Sequence, residues 1–169
     1  MARRVFFSFH YDEDITRAQV VRNSDVTKDW DPNAPVDHAT WEEIKRKGDE
    51  NVKRWINQQL DGAGVTAILI GAYTYTRKFV LYEVERSFEL GKGLLGIRIH
   101  QIKNFQKQTA WPGANPLDVV KTKEPMWPGS TLMNDRPLSA KFKTYDWVSD
   151  NGYLNFSKWA EEAARLAGR

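Results

Sequence analysis

One carboxylate of this sequence, Glu83, has surroundings that favour acid–base or electrostatic catalysis. It lies in a helix predicted over residues 77–90. At 100° per residue, Glu83 falls at the edge of the apolar stripe, beside Phe79, Ser87 and Leu90. We expect such a carboxylate to have a raised pKa and to face a cleft. The alternative is that Glu83 only rims the helix or pairs with a nearby base.

The other charged residues of this helix have simpler explanations. Glu85 and Glu89 fall on a charged strip that includes Arg86, which is typical of a solvated face. Arg77 and Lys78 occupy the first turn, where cations are unfavourable for the helix dipole. Either an anion binds there or these two side chains are simply solvated.

Other catalytic patterns have little support. Ser8, His10 and Asp12 are the residue types of a hydrolytic triad, but alternate residues at a strand end need not converge. No nucleophile elbow surrounds Ser8, and Asp12 is better explained as the N-cap of a following helix. No glycine-rich dinucleotide motif or Walker motif is present, because the glycines at 91 and 93 precede a strand instead of following one.

Composition restricts the class of protein. With 169 residues, 41% hydrophobic and 28% charged, the chain is predicted to be one globular domain over residues 1–169. Its longest apolar run, residues 65–73, is far shorter than the roughly 20 residues needed to span a bilayer, and no signal peptide is evident.

The absence of cysteine and the scatter of three histidines exclude a structural zinc site. A net charge of +3 from dispersed residues argues against nucleic-acid binding. We expect a cytoplasmic protein with no metal and no membrane contact.

Hydrophobic patterning predicts an α/β fold with three layers around a mostly parallel sheet. Buried strands are predicted at residues 5–9, 65–71 and 94–99, a further strand near Val26, and helices at about 15–21, 52–61 and 77–90. In such a sheet, ligands bind beyond the carboxyl ends of the strands, here residues 9–12, 71–78 and the loop after Ile99.

The remainder of the chain is rich in proline and tryptophan. Residues 101–143 show no sustained period and are interpreted as a functional loop or an elaboration. An edge strand at 145–148 and a helix with its buried side at Trp159, Ala163 and Leu166 follow. The tryptophans at 30, 41, 111 and 127 are expected to pin long loops onto the core, and those at 30, 41 and 111 are candidates to cover the cleft.

Four segments resemble the TIR-like domains, most closely those of the bacterial Thoeris anti-phage systems. They are residues 4–12, 65–71, 75–84 and 91–97, so the likeness covers about residues 3–100 and leaves 101–169 as an elaboration. The resemblance implies a flavodoxin-like fold and cleavage of the nicotinamide–ribose bond of NAD, which is a substrate and not a cofactor. It also implies a cyclic ADP-ribose isomer, a second messenger that activates a separate effector protein.

The resemblance also implies the site residues. Phe79-x-x-x-Glu83 matches the family's aromatic-x-x-x-Glu motif, which makes Glu83 the catalytic carboxylate, although many relatives have Trp at the position of Phe79. The substrate-binding residues are expected to be Phe79 and the end of the first strand, Ser8, Phe9, His10 and Tyr11.

Two other functions stay open at this point. TIR domains also act as non-catalytic, self-associating interaction modules, so a homo-oligomeric adaptor is one alternative. A nucleoside deoxyribosyltransferase-like enzyme, which uses a similar sheet and a carboxylate near ribose, is the other. Whether an enzyme of this kind would release a cyclic isomer or linear ADP-ribose is also open.

Overall fold

The computed structural model describes residues 3–24 and 38–169. In chain order, the elements are β1 (Val5–Phe9), α1 (Tyr11–Arg22), α2 (His38–Arg46), α3 (Asp49–Leu60), β2 (Val65–Ile70), α4 (Lys78–Glu89), β3 (Gly93–Arg98), α5 (Pro116–Val119), β4 (Lys121–Pro125), β5 (Met133–Pro137), β6 (Thr144–Asp146) and α6 (Gly152–Leu166), with 3₁₀ turns at Thr74–Thr76 and Leu138–Ala140. The strand expected near Val26 and the side chain of Trp30 lie outside the described residues. None of the helices in the described ranges has the length and apolar character needed to traverse a lipid bilayer.

The core of the fold is a parallel sheet with the strand order β1-β2-β3-β6. All residues of β2 are buried, as expected for a central strand covered on both faces. β6 pairs in parallel with β3 at one edge, close to the edge strand predicted from the sequence. The α/β architecture predicted from alternating strand and helix patterns is therefore confirmed.

Helices cover both faces of this sheet because successive strand side chains point to opposite sides. Ala67 and Leu69 of β2 pack in the layer formed by α1 and α6. Ile68 and Ile70 pack in the opposite layer, against α4 and α5. On that same side, α3 buries its apolar face against Phe6 of β1 and partly buried aromatic residues of α2 and α4. Helix α4 packs on the core through Val80 and Val84, and its N-terminus lies at the carboxyl edge of the sheet.

Two regions differ from the expectations. Helix α2 was not predicted, because it is only nine residues long and its larger apolar side chains, Trp41 and Ile44, are only partly buried. The antiparallel hairpin β4–β5 was not predicted either, since most of its side chains face solvent. Trp41 packs on Trp55, but the segment that it holds is helix α2 and not a loop. The expectation that tryptophans pin loops is wrong for Trp111 and Trp127, whose exposed fractions are 84% and 55%.

The start of α1 also corrects an expectation. The residue before the helix is His10, whose side chain makes no capping hydrogen bond, and Asp12 lies inside the first turn. Asp12 therefore contributes a negative charge near the positive end of the helix dipole and does not cap it.

The loop after β3 is held closely against the end of β2. A Cβ atom on Gly113 would lie 2.3 Å from the carbonyl oxygen of Gly71, so only glycine fits. Arg98 Nη1 donates a 2.8 Å hydrogen bond to the Gly113 carbonyl oxygen. On the other side, Arg17 Nε donates to the Ile102 carbonyl oxygen at 2.8 Å. These contacts fix the loop beside the carboxyl edge of the sheet.

We expect Gly113→Ala to lower the free energy of unfolding by about 1–3 kcal/mol, because the added methyl group overlaps backbone that cannot move easily. This corresponds to a Tm lower by roughly 3–10 °C in thermal unfolding. Gly64→Ala is the control, since its Cβ would meet only the end of the Arg3 side chain at 3.9 Å. Equal Tm values for the two variants would contradict the close approach at Gly113.

Candidate active site

A cleft of about 260 Å³ opens at the carboxyl end of β1, beside the N-terminus of α4. Its walls come from the β1–α1 junction at residues 9–12, from α2 and α3, and from Arg77 and the first turn of α4, with Glu83 one turn further along that helix. Two of the three segments predicted to border a ligand, 9–12 and 71–78, contribute to this cleft. The third, the loop after Ile99, does not line it.

Glu83 lies on the buried side of α4 and is only 7% exposed. Its side chain accepts a hydrogen bond from the Ser8 hydroxyl, and among the described residues no cation pairs with it. Burial raises the pKa of Glu83 to about 8, an effect that the Ser8 hydrogen bond only partly opposes. The raised pKa and the position at a cleft, both predicted from the helical spacing, are confirmed. The alternative of an ion-paired rim residue is not what the structure shows.

Ser8 reaches Glu83 because of its place in β1. Phe7 points into the layer of α1 and α6, so the next residue, Ser8, points toward α4. Ser8 is 1% exposed, lies behind Glu83 and does not line the cleft itself. Because its hydroxyl bonds Glu83 and not His10, the described atoms form no Ser8-His10-Asp12 triad.

His10 is buried, yet its imidazole makes no hydrogen bond to any described residue, and its Nδ1 atom is enclosed without a partner. Burial, followed by the positive charge of Arg77, lowers the pKa of His10 below its ordinary value. A neutral imidazole with unused hydrogen-bonding capacity therefore lines the cleft.

The cleft has an aromatic wall, formed by side chains distant in sequence. Trp41 meets Phe79 edge-on at 6.3 Å between ring centroids and Tyr11 at 6.1 Å. Tyr11 in turn stacks on Phe9 at 5.8 Å. Phe9, Tyr11 and Phe79, predicted from the resemblance, are thus brought together. Such rings can stack on a flat nitrogen heterocycle.

Sequence reasoning missed part of the rim of the cleft. Lys45 at the end of α2 and Asp49 at the start of α3 line it, but they have no spacing relationship to Glu83 that a sequence could reveal. Trp41 was expected to pin a loop and was also a candidate to cover the cleft, and it does line the cleft. Trp111, the other described candidate for a cover, does not line it.

No cluster of three potential metal ligands occurs in the part of the chain that the structure describes.

A second buried carboxylate, Asp14, belongs to the scaffold beside the cleft. Burial raises the pKa of Asp14 to about 6, and Arg17 opposes this shift. The Thr74 hydroxyl lies 3.5 Å from Asp14 and accepts a 2.8 Å hydrogen bond from the Gly71 amide. Asp14 does not line the cleft, and these contacts join α1 to the end of β2.

Comparisons with known proteins identify the family of this chain. A family model described as "Thoeris protein ThsB, TIR-like domain" matches residues 6–104. A protein of Bacillus cereus (strain MSX-D12), named as a candidate cyclic ADP-D-ribose synthase, ThsB1, is 36% identical over 190 residues, which cover 94% of this chain and 99% of the relative. The match confirms the resemblance seen in the four sequence segments. This chain therefore belongs to the ThsB family of TIR-like proteins from Thoeris systems.

Proposed function

We propose that this protein processes NAD in Thoeris anti-phage defence, cleaving the nicotinamide–ribose bond and forming a cyclic ADP-ribose-type product. The observation that carries the proposal is the buried Glu83, without a cationic partner among the described residues, in a cleft lined by Phe79 of the same helix. The name of the Bacillus cereus relative supports the cyclic product. We further propose that the product is a diffusible second messenger for a separate effector and is made in the cytoplasm, where NAD is available.

The chemistry requires stabilisation of positive charge. As the bond between ribose C1′ and the pyridinium nitrogen breaks, its electron pair returns to nicotinamide, which leaves as a neutral molecule. The remaining charge is shared by C1′ and the ring oxygen as an oxocarbenium-like state. The Glu83 carboxylate stabilises this state electrostatically and can hold the ribose hydroxyls. No general acid is needed for a leaving group that is already activated by its charge.

The second step decides the product. For a cyclic product, a nucleophile on the adenosine half, either a ring nitrogen of adenine or a ribose hydroxyl, donates a lone pair to C1′ and loses a proton. If water attacks instead, the same cation gives linear ADP-ribose and a proton. The aromatic wall of Trp41, Tyr11 and Phe79 favours the first outcome, because it offers a flat apolar surface to adenine once nicotinamide has left and excludes water.

The remaining site residues have distinct proposed roles. Phe79 and Phe9 form apolar walls for the nucleotide, and His10 and Tyr11 hydrogen-bond or stack on it. Ser8 acts through Glu83, since its hydroxyl fixes the orientation of the carboxyl group from behind. It is therefore a positioning residue.

We expect Glu83→Gln to reduce nicotinamide release from NAD at least about 100-fold, because an amide cannot stabilise the developing cation. Mass spectrometry of small molecules from purified protein incubated with NAD measures this, and thermal unfolding checks that the variant is folded. Glu85→Gln and Glu89→Gln are matched controls with expected activity within about twofold of wild type.

The outcome separates the three functions that the sequence left open. Because a defence enzyme can be silent until triggered, the same variants are also compared in extracts of phage-infected cells. Product and defence that survive Glu83→Gln would contradict the enzymatic mechanism and favour an interaction module. Exchange of free bases between deoxynucleosides would instead indicate a deoxyribosyltransferase.

The pKa of Glu83 predicts the pH dependence. In the free enzyme the carboxyl group, with a pKa of about 8, must lose its proton to act, so kcat/KM for NAD should rise with pH and level off above about 8. The profile of kcat should inflect at lower pH, because the bound pyridinium cation favours the carboxylate. Initial rates between about pH 6 and 9 measure both profiles. A kcat/KM that is flat over this range would argue against Glu83 as the titrating group.

The same burial predicts a stability gain in the inactive variant. The folded-state pKa of Glu83 is raised above 4.5, so its protonated form stabilises the fold, and this contribution is lost as the pH rises through about 8. Gln mimics the protonated form, so the free energy of unfolding of Glu83→Gln should exceed that of wild type by on the order of a few kcal/mol at high pH, with a correspondingly higher Tm. The difference should shrink toward pH 5. Thermal unfolding across this pH range tests it, and Glu85→Gln should show no such trend.

A further inference from the structure

The N-terminus of α4 points into the cleft, and it lacks the capping side chain and the acidic residues that usually compensate the partial positive charge of a helix start. The preceding residue, Arg77, makes no side-chain capping bond, and no acidic residue occurs in the first turn. The first bond within the helix runs from the Leu81 amide to the Arg77 carbonyl oxygen. The amides of residues 78–80 therefore have no partner within the helix, and these residues line the cleft.

The cations around this opening are not equivalent. Lys78 is 2.8 Å from Asp49, and Lys45 is 2.6 Å from Glu42, so both are already paired. Arg77 lines the cleft, is exposed, and has no ion pair with any described residue. A cation at the positive end of a helix dipole is unfavourable unless an anion compensates both.

An independent observation points to a ligand at the same place. The His10 side chain is buried and lines the cleft, and the described residues give its Nδ1 atom no hydrogen-bond partner. A buried polar group without a partner is rare, and a ligand that supplies the missing bond accounts for it. Phosphate oxygens accept hydrogen bonds from a neutral imidazole N–H as readily as from backbone amides and arginine.

We propose that the N-terminus of α4, together with Arg77 and the imidazole of His10, binds the diphosphate group of the dinucleotide substrate. This proposal rests on the function given above and assigns its second anchoring point. Asp12 and Asp49 also line the cleft, and a diphosphate is expected on the side of Arg77, away from the Lys78–Asp49 pair.

The spacing along the helix supports this placement. Phe79 and Glu83 are four residues apart, which corresponds to a rise of about 6 Å. An anion at the first turn thus lies about one helical turn from Glu83 along the axis, a separation comparable with the length of one ribose and its 5′-methylene group. The cleft of about 260 Å³ is also smaller than the usual range for sites that enclose a whole drug-sized ligand, roughly 300–1,000 Å³. It therefore suits the nicotinamide–ribose half, with the diphosphate at its mouth.

The first test is direct binding of inorganic pyrophosphate, measured by calorimetry on purified wild type, Arg77→Gln and Arg54→Gln. Arg54 is an exposed arginine of α3 that does not line the cleft, so its variant changes the net charge equally. We expect Arg77→Gln to weaken pyrophosphate binding at least about fivefold and Arg54→Gln to leave it within about twofold of wild type. Equal affinities for all three proteins, or equal losses in both variants, would overturn the proposal.

The second test is the kinetics of NAD turnover. We expect Arg77→Gln to raise KM for NAD by about five- to tenfold with kcat within about twofold of wild type, because the diphosphate does not change during the reaction. A loss confined to kcat would overturn the proposal. The two measurements separate its failure from that of the proposed function, since selective pyrophosphate binding without any NAD turnover supports the anion site and contradicts only the reaction.

Discussion

The burial of one carboxyl group, Glu83, without a cation beside it among the described residues is the constraint on which this active site depends. The α4 backbone holds Glu83 on the face that also packs Val80 and Val84 into the core, so the side chain cannot turn toward bulk water. Its described hydrogen-bond partner is a neutral hydroxyl. A charge in such surroundings costs free energy, and the cost falls when a cationic substrate enters. The fold therefore holds Glu83 ready for a positively charged reaction centre.

The parallel sheet accounts for how the other groups reach this point. β1 directs Ser8 to the rear of Glu83 and leads directly into the β1–α1 junction, where His10 lies at the front of the cleft. At the adjacent end of β2, the Asp14, Thr74 and Gly71 contacts join the strand to α1. The inside of the cleft thus holds a neutral histidine and a mostly protonated glutamate at neutral pH. Arg77, which has no ion pair with any described residue, lies at its mouth.

The elements that could be predicted from the sequence are those whose side chains follow one regular pattern of burial. β1, β2 and β3 are continuous apolar runs because both of their faces are covered, and α4 shows a clear apolar stripe. Glu83 could be found for the same reason, since a carboxylate on the edge of that stripe departs from a regular pattern. The hairpin β4–β5 carries mostly exposed side chains and leaves no such signal. Trp41, Lys45 and Asp49 reach the cleft through the packing of α2 on α3, which no local spacing records.

The position of α2 has a consequence for how such proteins can diversify. The helix contributes Trp41 and Lys45 to the cleft, yet its apolar contacts are with α3 and with aromatic side chains, not with the strand core. Substitutions in α2 can therefore reshape the wall while leaving the sheet and α4 intact. α4 has no such freedom, because one face serves both the hydrophobic core and the reaction. Evolution of new product chemistry in this scaffold is expected to proceed by rebuilding the wall around an unchanged carboxylate.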